Sequence, residues 1–166
     1  LLPDVLRVIK NGGIVFIVEG EKKGDLLNER LKGYNAIATC NSGGAGHWGA
    51  EHSKWLKGAR VCLIPDCDVI DADANAYTTV KENPGLAHVQ IAARSLAGIA
   101  PSIKMVQLPG LAEKEDVGDW IAAGHLIPDL RALYHAAPEY SAPGLPEPQK
   151  PVSYKIQSTR SAGDAR

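Results

Sequence analysis

The chain has 166 residues, of which 45% are hydrophobic and 22% charged, and these ordinary globular proportions exclude wholesale disorder, a collagen-like repeat and a coiled coil. No apolar run approaches the roughly 18 residues that a membrane-spanning helix needs, so no membrane partner is expected. The net charge of −1 excludes a globally basic nucleic-acid-binding surface, but leaves open a local basic patch or an acidic pocket completed by a divalent metal.

Apolar, β-branched runs alternate with segments of helical periodicity along most of the chain. The run at 14–18 is continuously apolar, which is typical of a strand buried on both faces. In chain order we predict a strand at 14–18, a helix at 21–32, a strand at 36–40, a helix at 52–56, a strand at 60–64, a helix at 86–97, a strand at 103–108 and helices at 116–123 and 128–136. This alternation favours an α/β fold, with a mainly parallel four-stranded sheet and helices on both faces.

Two finer predictions concern large apolar side chains. Trp55 and Trp120 stand at helical positions and are expected in the core, and packing is favoured over stacking on a base for Trp48. The first predicted helix should turn three leucines inward, namely Leu26, Leu27 and Leu31.

Acidic residues follow two of the predicted strands. Glu19 comes directly after the first strand, and Asp66 and Asp68 follow the third. Function in an open α/β sheet lies at the carboxyl ends of the strands, and alternate strand residues point to one side, so these carboxylates should converge on one crevice. Mg²⁺ or Mn²⁺, which prefer carboxylate and water ligands, would relieve such a cluster. From the residue types alone, acids that merely mark the surface ends of strands are an equal alternative.

Four motifs in this order resemble the Toprim domain, which bacterial and phage primases, topoisomerases and some nucleases share. They look most like the V-E-G-E-K, G-G-A-G-K-W, L-P-D-N-D and K-G-D-x-x-D-W series of phage and plasmid primase-helicases. The resemblance covers roughly residues 10–136 and rests on the segments 18–22, 42–48, 63–68 and 108–120. It implies a Toprim-like, Rossmann-like fold and a metal-dependent nucleotidyl transfer that makes primers on single-stranded DNA from nucleoside triphosphates.

The resemblance also implies roles at a metal site. Glu19 would be the catalytic acid–base residue and would help to hold Mg²⁺ or Mn²⁺, with Asp66 and Asp68 as the other metal ligands. Lys22 would lie near the phosphates and assist catalysis. The chemistry expected of such a metal is to orient a hydroxyl and to neutralise charge that develops on phosphate.

A second group of residues would contact nucleic acid or phosphate. Gly43 and Gly44 would let the backbone approach closely, because glycine has no side chain. Lys114 and Asp116 would form the last polar cluster at the end of the sheet, and Lys22 would also contact phosphate.

The chain departs from the family pattern in two places. His47 stands where the family commonly has lysine in the glycine loop. Residues 69–82 are inserted between the two aspartates and Gly85, the glycine that we align with D-x-D-x-x-G. We predict that this insert is an exposed excursion beside the crevice.

Two further patterns are weaker. The insert follows the ligand spacing of a Ca²⁺-binding loop, but Ala76 replaces the usual glycine, so a solvated acidic loop is favoured over a further Ca²⁺ or Mg²⁺ site. The possible extra metal loop of the insert comprises Asp71, Asp73, Asn75 and Glu82.

Residues 44–49 match G-x-G-x-x-G, although three residues separate them from the preceding strand, which disfavours dinucleotide binding.

Composition changes near the C-terminus. Residues 137–166 are rich in Pro, Ser, Gln and Arg and cannot bury enough apolar surface to offset their ordering entropy. We therefore predict a Toprim domain at 1–136 and a linker or disordered tail at 137–166, tethering an adjoining helicase or zinc-binding module.

The same acids and metals leave other functions open. A Toprim nuclease would cleave phosphodiesters, and a non-catalytic Toprim fold would only bind nucleic acid or a partner, whereas a topoisomerase is least favoured because its strand-passing body is missing from the sequence. The N-terminus lacks the features of a signal peptide, and three cysteines without Cys-x-x-Cys spacing favour a reduced, cytoplasmic compartment.

Overall fold

The computed structural model describes residues 1–41, 47–68, 70–71, 76–77 and 84–141. In chain order its elements are α1 (Leu2–Lys10), β1 (Ile14–Ile17), α2 (Glu21–Arg30), β2 (Ala36–Thr39), α3 (Ala50–Ser53), a 3₁₀ turn (Lys54–Leu56), β3 (Arg60–Leu63), β4 (Ile70–Asp71), β5 (Ala76–Tyr77), α4 (Pro84–Leu96), β6 (Ser102–Met105), α5 (Val117–Ala122) and α6 (Ile127–Ala136).

The main sheet has four parallel strands in the order β2-β1-β3-β6. The sheet separates two apolar cores. Phe16 of the inner strand β1 packs on one face with residues of α2, α5 and α6. Val15 and Ile17 pack on the other side with residues of α1 and α4. The predicted α/β class, with a parallel four-stranded sheet and helices on both faces, is therefore confirmed, and the arrangement is Rossmann-like.

Helix α1 was not among the predicted elements. Its buried residues Val5 and Val8 recur three apart and pack under the sheet, while Pro3 stands in its first turn. Proline is well tolerated there because the first-turn N–H groups have no partner within the helix. The three-residue apolar spacing, Pro3 and the Asp4–Arg7 pair were the available signals for this helix.

Two of the side-chain predictions are wrong. Trp55 is 47% exposed on the 3₁₀ turn, and Leu26 is 40% exposed on α2. The other residues of those predictions behave as expected: Leu27, Leu31, Trp48 and Trp120 are buried. The indole N–H of Trp48 donates to the Ser53 hydroxyl at 2.8 Å, which fixes the ring in the core.

Both outer strands of the main sheet have hydrogen-bonding partners outside the sheet. At β2, the Asn28 side chain accepts from the Ala38 amide at 2.7 Å and donates to the Ala38 carbonyl at 2.9 Å, as a neighbouring strand would. At β6, the Tyr140 amide donates to the Ile103 carbonyl at 2.7 Å. The Glu139 carboxylate accepts from the Ile103 amide at 3.1 Å, so the first residues of the predicted tail run along β6.

The insert contains a short antiparallel pair, β4 with β5. The predicted exposure of the insert is not tested, because most of it lies outside the described residues. The predicted boundary at 136–137 also stays a prediction. The structure adds that Glu139 and Tyr140 contact the sheet, and the tail beyond residue 141 lies outside the described residues.

Candidate functional site

One lysine and three acids from separate loops meet at the carboxyl edge of the sheet. The Lys23 ammonium donates a hydrogen bond to Asp66 Oδ2. It lies 3.4 Å from Asp116 Oδ2 and 3.9 Å from Glu19 Oε2. We call these four residues the Lys23 cluster: Glu19, Lys23, Asp66 and Asp116.

The sheet topology explains why these residues meet. Glu19 follows β1 and Asp66 follows β3, and these two strands are neighbours in register, with Ile17 opposite Leu63. Lys23 stands in the first turn of α2, which begins two residues after Glu19, so the end of β1 and the start of α2 bring the two side chains together. Of the three carboxylates predicted to converge at this edge, Glu19 and Asp66 both lie beside the Lys23 ammonium, whereas Asp68 contacts other groups.

Burial and like charge govern the electrostatics of the Lys23 cluster. Burial, together with the hydrogen bond and charge of Glu19, raises the pKa of Asp66 to about 7, although Lys23 opposes this rise. A nearby carboxylate of the same charge disfavours the ionised form of Asp66, which is why Glu19 raises this pKa. For Lys23, burial lowers the pKa, but the hydrogen bond to Asp66 and the charges of Asp66, Asp116 and Glu19 outweigh it and raise the pKa overall.

Asp116 joins the cluster while capping helix α5. Its Oδ1 accepts hydrogen bonds from the Gly118 amide at 2.6 Å and the Asp119 amide at 3.4 Å. The Asp119 carboxylate in turn accepts from the Asp116 amide at 2.9 Å, which completes a reciprocal capping arrangement. The cap orients Asp116 so that its second oxygen faces Lys23.

The second aspartate of the predicted pair contacts a different group of residues, the Asp68 corner, formed by Asp68, Gly85 and Lys114. Asp68 Oδ2 accepts from the Gly85 amide at 2.6 Å, at the start of α4. Its Oδ1 lies 3.9 Å from the Lys114 ammonium, which is largely exposed. A Cβ on Gly85 would lie 2.9 Å from the Asp66 carbonyl, so this glycine packs directly against the loop that carries both aspartates.

Other predicted site residues are placed less specifically. Lys22 is exposed beside Lys23, and its predicted contact with phosphate stays a prediction. The side chain of Asp71 is not described, and Gly43, Gly44, Asp73, Asn75 and Glu82 lie outside the described residues.

Lys23 was not among the predicted site residues. The motif match drew attention to Lys22, because V-E-G-E-K ends at that residue, whereas the structure brings the next lysine to the carboxylates. The position of Lys23 in the first turn of the helix that was predicted directly after Glu19 was the signal that could have identified it.

The donor set fits a divalent cation in part. Within the described ranges, no three His, Cys, Asp or Glu side chains are grouped closely enough to hold a metal ion by themselves. Glu19 and Asp66, however, both contact the Lys23 ammonium, so two carboxylates from separate strands already face one cation. Mg²⁺ commonly binds through one or two carboxylates and completes its shell with water and substrate phosphates, so this pair suffices for such a site.

Comparison of the chain with known protein families, with curated proteins and with solved structures finds no match. The Toprim resemblance therefore stays a prediction from the motifs. In the part of the chain that the structure describes, no helix is both long and apolar enough to cross a membrane.

Proposed function

We propose that this chain is a Toprim-type catalytic domain of a DNA primase or primase-helicase that performs metal-dependent nucleotidyl transfer. The observation that carries the proposal is that Glu19 and Asp66 both contact the Lys23 ammonium at the carboxyl edge of a parallel sheet. Two motifs separated by more than 40 residues supply these two acids. The topology thus supports a motif resemblance that was argued from sequence order alone.

Each residue of the pair has a chemical task in this proposal. Glu19 and Asp66 would hold Mg²⁺ or Mn²⁺, which supplies charge neutralisation at the reacting phosphate. Glu19 is partly exposed at the mouth of the site, so its carboxylate can accept the proton of an incoming 3′-hydroxyl. Asp66 is more buried, with its side chain 15% exposed, which suits a fixed ligand better than a mobile base.

The partners follow from what primer synthesis requires. Single-stranded DNA and nucleoside triphosphates must be held in register, and positioning supplies much of the rate. A net charge of −1 provides no extended basic surface for a template, so an adjoining helicase or zinc-binding module would supply it in the cytoplasm. We therefore expect the chain alone to bind Mn²⁺ or Mg²⁺ weakly and to make primers poorly.

The test is dinucleotide formation on single-stranded DNA with Mn²⁺, at high protein concentration. Glu19→Gln and Asp66→Asn should each remove the product, whereas Glu113→Gln, which changes an exposed acid in the loop before α5, should retain it. A loss of one carboxylate ligand or of the base typically lowers the rate about 100-fold or more.

The same reactions distinguish the alternatives. Metal-dependent cutting of DNA that both substitutions abolish would replace primer synthesis with nuclease activity. DNA binding without product or cutting would leave a non-catalytic binding module, and equal activity in all variants would overturn the assignment of Glu19 and Asp66.

A further inference from the structure

We infer that Lys23 is a built-in competitor of the divalent cation, whose ammonium must leave the carboxylates before the metal binds. The inference rests on the proposed metal site and assigns its regulation to a residue that no motif of the resemblance includes. Lys23 is thus a positioning residue that sets metal affinity, and it is not a catalytic residue.

The contacts of Lys23 carry the inference. Its ammonium faces acids from the ends of β1 and β3 and from the cap of α5, and one of them, Asp66, accepts its hydrogen bond. A cation that binds Glu19 and Asp66 must approach the same oxygen atoms. The ammonium and the metal therefore cannot both have their best contacts, because like charges a few ångströms apart repel strongly in a partly buried site.

The position of Lys23 allows it to leave. Its side chain is 25% exposed, and it stands on the first turn of α2 beside the exposed Lys22. A lysine ammonium is a compact charge on a flexible four-carbon stem, so rotation toward solvent needs no movement of the helix. Without metal, the ammonium compensates the acids and holds the three loops together.

The experiment measures Mn²⁺ affinity of the full chain by the electron paramagnetic resonance signal of free Mn²⁺, with no substrate present. Lys23→Gln should bind Mn²⁺ at least about tenfold more tightly than the unmodified chain. Lys23→Arg retains the positive charge and should not show this gain. Lys22→Gln removes a neighbouring but exposed charge and should change the affinity less than about twofold.

The rise in melting temperature on adding Mn²⁺ provides a second readout. A purely structural role of Lys23 would not change this rise. Without metal, Lys23→Gln should melt at a lower temperature than the unmodified chain, since the acids lose their counter-ion. Added Mn²⁺ should raise the melting temperature of Lys23→Gln more than that of the unmodified chain, because tighter binding to the folded state stabilises it more.

The possible results separate this inference from the proposed function. If Lys23→Gln and the unmodified chain bind Mn²⁺ equally, and Asp66→Asn weakens both, competition by Lys23 is overturned while the metal site stands. If Lys23→Gln binds more weakly, Lys23 assists the metal and the inference is also overturned. If no variant binds Mn²⁺, both the inference and the proposed metal site fail.

Discussion

The Lys23 cluster and the Asp68 corner lie at the same edge of the sheet and share one loop, yet they use their aspartates differently. Asp66 meets another carboxyl group and an ammonium, so its contacts are with charges that compete or compensate. Asp68 satisfies a backbone amide at the start of α4 and approaches an exposed lysine. Asp68 thus stabilises the start of α4, whereas the ionised form of Asp66 is disfavoured at neutral pH.

This difference shows how a structural acid is distinguished from a candidate functional one. A carboxylate that accepts hydrogen bonds from backbone amides is stabilised as the anion, and its role is explained by the fold. A buried carboxyl group beside a second carboxyl group is destabilised as the anion, and clusters of this kind concentrate at functional sites. By this criterion Asp66 is the better candidate for a ligand of the proposed metal, and Asp68 mainly supports the loop.

The largest expected effect comes from Gly85, which contacts both regions. A Cβ at this position would lie 2.9 Å from the Asp66 carbonyl and 3.0 Å from Asp68 Oδ2. Because the first of these atoms is backbone and cannot move freely, Gly85→Ala should lower the free energy of unfolding by about 1–3 kcal/mol. Urea denaturation at constant pH would measure the change.

The matched control for this prediction is Gly49→Ala. No atom lies within 4 Å of a Cβ built on Gly49, which also has extended backbone at the start of a helix. This variant should change stability by less than about 1 kcal/mol. If Gly49→Ala and Gly85→Ala lower the free energy of unfolding equally, the close approach of Gly85 to the aspartate loop does not contribute to stability.

The next effect is a pH dependence specific to the Lys23 cluster. In the folded chain the pKa of Asp66 is about 7, above the ordinary value of 3.8, so the folded state binds more protons than the unfolded state between these values. The free energy of unfolding should therefore fall as the pH rises from about 4 to about 7.

Denaturation in a chelating buffer across this pH range would test the prediction. Asp66→Asn should lose the decline, because the titrating group is gone. Asp68→Asn removes an acid from the same loop but leaves the Glu19–Asp66 contact in place, so the decline due to that contact should persist. If the free energy of unfolding of Asp66→Asn falls as steeply or more steeply with pH, a group other than Asp66 causes the decline.

The smallest effect concerns the exposed half of the Asp68 corner. Lys114 has a φ of 72°, which is unfavourable for a side-chain-bearing residue, and its ammonium is 3.9 Å from Asp68. Lys114→Ala removes the ion pair but retains the strained backbone, and should change stability by less than about 0.5 kcal/mol. Lys114→Gly relieves the strain and should be more stable than Lys114→Ala by about 1 kcal/mol. The loss of stability from the unmodified chain to Lys114→Ala should be smaller than the gain from Lys114→Ala to Lys114→Gly. The reverse result would show that the ion pair matters more than the backbone conformation.

The sequence allowed the sheet to be predicted because its strands are short, buried runs whose pattern depends on few neighbours. The run at 14–18 has to be covered on both faces, and only a parallel sheet between helices does so. Leu26 and Trp55 were assigned incorrectly because helical spacing does not specify which neighbouring element is available to cover a side chain. Likewise, a motif identified Glu19 and Asp66, but the choice between Lys22 and Lys23 depends on how α2 is rotated against the sheet.

The partners at both outer strands bear on aggregation and on the design of shortened chains. An uncovered edge strand offers a row of unpaired amides and carbonyls to a second molecule. Here the Asn28 carboxamide hydrogen-bonds to the backbone amide and carbonyl of Ala38 in β2, and the chain at Glu139 and Tyr140 runs along β6. A truncation before residue 139 would uncover β6, so a fragment intended for study in solution should extend at least to Tyr140. Self-association of a shorter fragment would then reflect the uncovered β6 strand, and the carboxyl edge that carries the Lys23 cluster would be unaffected.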